Sequence, residues 1–78
     1  MAGSQTGSDT VTRRMTGRQI ADDLAERIRG REYLPGEQLL YKDLIELYKV
    51  SRSTVQRAMD RLQERGLVEY RPGHGMFV

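Results

Sequence analysis

Two short amphipathic patterns separated by only three residues constrain this 78-residue chain more than any other feature. Leu40, Leu44, Leu47 and Tyr48 fall on one helical face with Asp43 and Glu46 pointing away, and Val55, Ala58, Met59 and Leu62 share a face after the break at Lys49-Val50-Ser51. The spacing predicts a helix of about two turns, a tight turn, and a longer helix opening at Arg52. Ser51 is placed to turn its hydroxyl onto the free N–H groups of that second helix, and Gly66 closes it after Arg65.

A further helix precedes this pair. Over 16–30, Ile20, Leu24 and Ile28 recur every four residues while Arg18, Asp22, Asp23, Glu26 and Arg27 fill the other faces, with Thr16 as the N-cap and Gly30 as the stop. Pro35-Gly36 marks a turn, and a short strand near Gln38 and Leu39 can follow it. At the other end, 67–70 reads as a strand, Arg71-Pro72-Gly73-His74-Gly75 as a turn and 76–78 as the returning strand. The expected fold is mainly α with a small β-hairpin: three helices and a C-terminal wing of two or three strands, occupying 15–78. Residues 1–14, rich in Gly, Ser and Thr with Val11 as their only large aliphatic residue, are expected to form a disordered tail.

Composition removes whole classes of function. Without cysteine there is no disulfide, thiolate metal site or cysteine nucleophile, which fits a reducing compartment, and the cytoplasm is the expected location. No apolar run approaches the roughly 20 residues of a membrane span. A lone histidine, His74, offers neither a metal set nor a general base with partners, and no paired carboxylates, phosphate loop or activated nucleophile point to catalysis. No enzyme activity, catalytic residue, metal or cofactor is expected. A domain of this size buries only about 60% of its unfolded surface, so Met59, Met76 and Phe77 are read as core filler, Phe77 packing against the third helix.

The net charge of +2 and pI near 9.3 say little until the charges are placed. With Val55, Ala58, Met59 and Leu62 turned inward, Ser53 and Arg57 project to the opposite side of the third helix, with Arg52 and Gln56 beside them near its N-terminus. Arginine can bridge guanine O6 and N7 and glutamine can pair with adenine in a major groove, while Ser51 and Thr54 can meet phosphate at the helix terminus. A plain solvated and salt-bridged helix face is the competing reading, and it is preferred for Arg61, Glu64 and Arg65.

In order and spacing, Pro35-Gly36, Val50-Ser51-Arg52-Ser53-Thr54-Val55-Gln56-Arg57-Ala58, Leu62-Gln63-Glu64-Arg65-Gly66-Leu67-Val68 and Gly73-His74-Gly75-Met76-Phe77-Val78 resemble the DNA-binding domain of the GntR family of bacterial transcription regulators. The resemblance covers about 19–78. It implies a winged helix-turn-helix that binds double-stranded DNA, with Arg52 and Arg57 facing the major groove, Ser51 and Thr54 on the backbone, and the wing around Gly73, His74 and Gly75 reaching the minor groove. Arg71 and His74 are then available to phosphate or the minor groove. The chain departs from the family in two places. Where the family opens its second helix with Leu-Pro-Ser-Glu and a phosphate-contacting basic residue, this sequence reads Leu39-Leu40-Tyr41-Lys42, one residue shorter, leaving the cap open and Lys42 in the basic position. Where the family often has glycine in the turn, it has Lys49.

The resemblance also implies a further domain after the wing that binds an effector and dimerises, so that a repressor pair occupies a palindromic operator and the isolated head is monomeric; a natural single-domain member is the other possibility. A winged-helix module for protein–protein contact, without DNA binding, is the alternative, because fold does not fix function.

Overall fold

The structure, a computed structural model, describes residues 15–78; the expectation of a disordered tail over 1–14 lies outside the described residues. Helix α1 (Gly17–Arg29) starts where Thr16 and Gln19 cap each other: the Thr16 hydroxyl accepts from the Gln19 N–H at 3.1 Å and the Gln19 side chain accepts from the Thr16 N–H at 2.9 Å. It buries Ile20, Ala21, Leu24 and Ala25. Its end differs from the expectation in one detail. The helix stops at Gly30, but Gly30 keeps a negative φ and Arg31 takes the left-handed conformation (φ 66°) that lets the Glu32 N–H reach the Arg27 carbonyl at 2.9 Å.

After the turn at Pro35-Gly36 the chain forms β1 (Gln38–Leu39), then α2 (Tyr41–Tyr48), α3 (Arg52–Glu64), β2 (Glu69–Arg71) and β3 (Gly75–Phe77). The apolar face of α2 is not the one expected from Leu40, Leu44, Leu47 and Tyr48. Leu40 lies outside the helix as its extended N-cap, and Leu40 and Leu47 are each 46% exposed. The inward face is Tyr41, Leu44, Ile45 and Tyr48, the i, i+3, i+4, i+7 set counted from the first helical residue. Helix α3 buries Val55, Ala58, Met59 and Leu62 as its periodicity requires.

Where α3 ends, Gly66 (φ 75°) donates to the Gln63 carbonyl and Leu67 to the Leu62 carbonyl, both at 2.9 Å. This Schellman closure holds Leu67 at the helix end and delivers Val68 to the core, so the strand expected over 67–70 begins only at Glu69. The sheet is antiparallel in the order β1-β3-β2, with Leu39 and Tyr70 flanking Met76 on its two sides. The wing is therefore three-stranded, its last strand in the middle. Met76 is buried, but Phe77 is not in the core: its ring lies under the Arg71 guanidinium, 4.6 Å from the centroid. Strand alternation explains the difference, because Met76 takes the inward side and its neighbour must face the other way.

Helices α1 and α3 make the most extensive pairing in the molecule. Gly17 permits it at one end: a Cβ there would sit 2.8 Å from Arg57 Cβ and 3.3 Å from both Ala58 N and Thr54 O. Farther along, Arg65 donates to Asp22 at 2.6 Å. A second polar link ties α1 to α2, where the Tyr48 hydroxyl and Arg27 Nε both donate to Asp23 Oδ2. The Arg27 and Tyr48 hydrogen bonds hold the Asp23 carboxyl below its ordinary value, while burial and the Asp23 contact push the Tyr48 phenol up. Among the described residues no helix is long and apolar enough to cross a membrane.

Two outcomes are expected. Gly17→Ala must part the helices against a side-chain stem and backbone, and should lower stability by about 1–3 kcal/mol in chemical denaturation. Because the Asp23 carboxyl is depressed in the fold, its contribution is present above the ordinary value of 3.8 and lost as pH falls through the folded-state value. Asp23→Ala should therefore be destabilised relative to wild type at neutral pH, and denaturation curves taken at successively lower pH should converge.

Candidate nucleic-acid interface

Helix α3 owes its orientation to the turn before it. Lys49 adopts the left-handed conformation (φ 56°, ψ 47°), donating its N–H to the Ile45 carbonyl at 2.8 Å, and Val50 is buried beyond it. The turn thus demands a left-handed backbone that glycine adopts freely, and lysine adopts it at some strain. Ser51 then caps α3: its hydroxyl accepts from the Thr54 N–H at 3.3 Å and lies 3.0 Å from Ser53 Oγ and 3.1 Å from Thr54 Oγ1.

With the core side facing inward, the outer surface of α3 divides into two flanks. Arg52, Gln56 and Asp60, at four-residue steps, run along the α2 side. The Arg52 guanidinium lies over the Tyr41 ring, 4.5 Å from its centroid; Tyr41 Oη donates to Gln56 Oε1 at 2.9 Å, and Gln56 Nε2 donates to Asp60 Oδ1 at 3.0 Å. Burial pushes the Tyr41 phenol above its ordinary value. Thr54, Arg57 and Arg61 run along the other flank. With Met15, Thr16, Gly17 and Arg18 they line a cleft of about 390 Å³ at the start of α1. Ser53 lies exposed between the flanks.

The sequence grouped Arg52, Ser53, Gln56 and Arg57 as one cluster; the structure joins Arg52 to Gln56 through Tyr41 and sets Arg57 apart, beside Arg18 and Arg61. Arg61 belongs to this basic cleft, whereas Arg65 is drawn into its cross-helix pair with Asp22. Sequence reasoning did not single out Tyr41, Asp60 or Gly17. Asp60 carried a usable signal, being four residues after Gln56 on the same helix. Tyr41 carried only its position as the first residue of α2.

At the wing, His74 N–H donates to the Arg71 carbonyl at 2.9 Å, closing the turn, and Gln38 Nε2 reaches back to the His74 carbonyl at 2.6 Å. Gly73 and Gly75 both hold positive φ, and a Cβ on Gly75 would meet Gln38 Nε2 at 3.0 Å. Turn geometry thus accounts for both glycines. Arg71 is positioned by the Phe77 face and by Glu69 at 3.5 Å, and the His74 side chain is exposed. Lys42 is exposed at the second position of α2, whose cap, Leu40, makes no side-chain hydrogen bond. Among the described residues no three His, Asp or Glu side chains gather as a metal site.

Two helices joined by a tight turn, a third helix packed across them and a three-stranded wing define a winged helix-turn-helix. The chain belongs to the family described as "Bacterial regulatory proteins, gntR family", which it matches over residues 16–78. It is 47% identical over 62 residues to an uncharacterized HTH-type transcriptional regulator of Streptomyces coelicolor, a match covering 78% of this chain and 23% of the relative. It is 36% identical over 61 residues to the uncharacterized HTH-type transcriptional regulator YhcF of Bacillus subtilis, covering 77% of this chain and 50% of the relative. The match to the probable transcriptional regulator PhnF of Escherichia coli is 37% over 60 residues, covering 77% and 23%. The chain therefore spans between about a quarter and a half of the length of these relatives. Among solved structures it resembles the crystal structure of mutant ORR3 in complex with the N-terminal domain of AraR (TM-score 0.72, 27% identity, 80% of this chain and 90% of that one). It also resembles Streptococcus agalactiae GntR (TM-score 0.70, 36% identity, 80% and 30%).

The uncapped start of α2 makes a simple test. Leu40→Ser places a hydroxyl at the N-cap while giving up a half-exposed side chain, and should raise stability by about 1 kcal/mol in denaturant titration.

Proposed function

We propose that residues 15–78 form the DNA-reading head of a bacterial transcription regulator, binding duplex DNA sequence-specifically through the outer face of α3. The observation that carries this reading is the N-terminal half of α3, capped by Ser51 and presenting Arg52, Ser53, Gln56 and Arg57 away from the core. Membership of the gntR family supports it. Arg52 and Gln56 are suited to guanine and adenine edges, and Arg57 lies in a cleft where three arginines favour phosphate. Ser51 and Thr54 serve the backbone at the helix terminus, Lys42 adds a phosphate contact from α2, and Arg71, Gly73, His74 and Gly75 bring the wing against the minor groove.

The mechanism is occupancy. In the cytoplasm, the full regulator acts as a repressor whose two heads, held by a further domain, sit on palindromic half-sites about one helical turn apart. A single head is monomeric and binds weakly.

Arg52→Ala should cost about 1–3 kcal/mol on a selected duplex and relax preference at one base pair, whereas Lys42→Ala should weaken selected and random duplexes alike and flatten the salt dependence by about one unit of slope. Fluorescence anisotropy at several salt concentrations measures both. Equal losses for Arg52→Ala on both duplexes would remove the base-reading role, and no duplex binding by wild type at low salt would favour a protein-contact module instead.

A further inference from the structure

We propose that Tyr41 is a positioning residue that fixes the two base-reading side chains of α3 and so helps set which base pairs they accept, an inference that rests on the DNA-reading function proposed above. The argument begins at Asp60. An ionised carboxylate only accepts hydrogen bonds, so the end of the Gln56 amide that faces Asp60 at 3.0 Å must be Nε2. The other end, Oε1, is then turned to Tyr41 and accepts from its hydroxyl at 2.9 Å. A flip of the amide would set Oε1 against the Asp60 carboxylate and oblige the phenol to turn its hydrogen away and accept instead, so Asp60 fixes the orientation in which the Tyr41 hydroxyl donates. Among the described residues, one lone pair on Oε1 and one hydrogen on Nε2 remain free. That acceptor–donor pair is the complement of adenine N6 and N7 in the major groove.

The same ring holds Arg52. Its guanidinium carbon lies over the Tyr41 ring, 4.5 Å from the centroid, a cation–π contact that restrains the side chain whose N–H fork would meet guanine O6 and N7. Neither Arg52 nor Gln56 has to be ordered wholly at the moment of binding. A single side chain from α2 thus aligns two neighbouring readers on α3.

The test is a base-preference profile. Duplexes selected by the wild-type domain from a random pool are varied one base pair at a time, and relative affinities are measured for wild type, Tyr41→Phe, Tyr41→Leu and Gln56→Ala, with thermal melts to verify folding. Tyr41→Phe keeps the ring and loses the hydroxyl. It should reduce discrimination by about three- to tenfold at the base pair relaxed in Gln56→Ala, the scale of one net hydrogen bond, and leave the other positions unchanged. Tyr41→Leu should also relax the adjoining position read by Arg52, by about two- to fivefold. A Tyr41→Phe profile identical to wild type, a uniform loss on every duplex, or a Gln56→Ala profile without change would each overturn the inference while leaving DNA reading intact. Wild-type domain that binds no duplex would overturn the DNA-reading function, and this inference with it.

Discussion

Close contact between α1 and α3 is the constraint on which the rest of the molecule depends. Helix α3 can present a polar outer face only if its inner face is fully covered, and in so small a domain a single partner helix must supply most of that cover. Ile20, Ala21, Leu24 and Ala25 provide small and branched surface in alternation, and Gly17 lets the first turn of α1 approach the α3 backbone. Bulk at that position would tilt α3, and with it every residue of the outer face. The Asp22–Arg65 pair adds a polar link to the same interface, although an exposed ion pair of this kind contributes little energy by itself.

The two flanks of α3 have different characters as a result. Toward α1, Arg57, Arg61 and Arg18 stand around an open cleft, a concentration of positive charge that attracts anions without selecting among them. Toward α2, Arg52 and Gln56 are held in defined directions by Tyr41 and Asp60. Clustered positive charge thus marks one side, and side chains held by their neighbours mark the other. Asp60 puts a negative charge on this otherwise basic and polar face, where it holds Gln56 Nε2.

Much of the architecture was legible in the residues. The inward faces of α1 and α3, the Thr16 and Ser51 caps, the tight turn and the hairpin all follow from periodicity and local backbone chemistry, which act over a few neighbours. The errors arose where a choice depended on partners distant in the chain. Leu40 looked like part of the α2 stripe because its spacing fits, yet the helix begins one residue later and the stripe rotates to Tyr41, Leu44, Ile45 and Tyr48. Phe77 looked like core, but the side of β3 that it occupies is fixed by pairing with β1 and β2. The candidate site fared similarly. Its residue types on α3 could be read from the helical repeat, whereas the Tyr41 link, the separation of Arg57 from Arg52 and the role of Gly17 exist only once helices are docked.

The strand order has a consequence for how the domain assembles. Because β3 lies between β1 and β2, Gln38 and Leu39 must wait for Phe77 and Met76 across nearly half the chain, while the helical turn contacts can form locally. Loop closure over that span is entropically opposed until a hydrophobic surface rewards it, so the sheet should condense late, onto helices already in contact. Its completion also tethers Gly36 and Glu37 to Val78 through one backbone hydrogen bond each, joining the segment before the helix-turn-helix to the end of the wing. Folding of α3 and seating of the wing thereby become one cooperative event, and a force or a partner acting near Val78 would be felt at the entrance to α2.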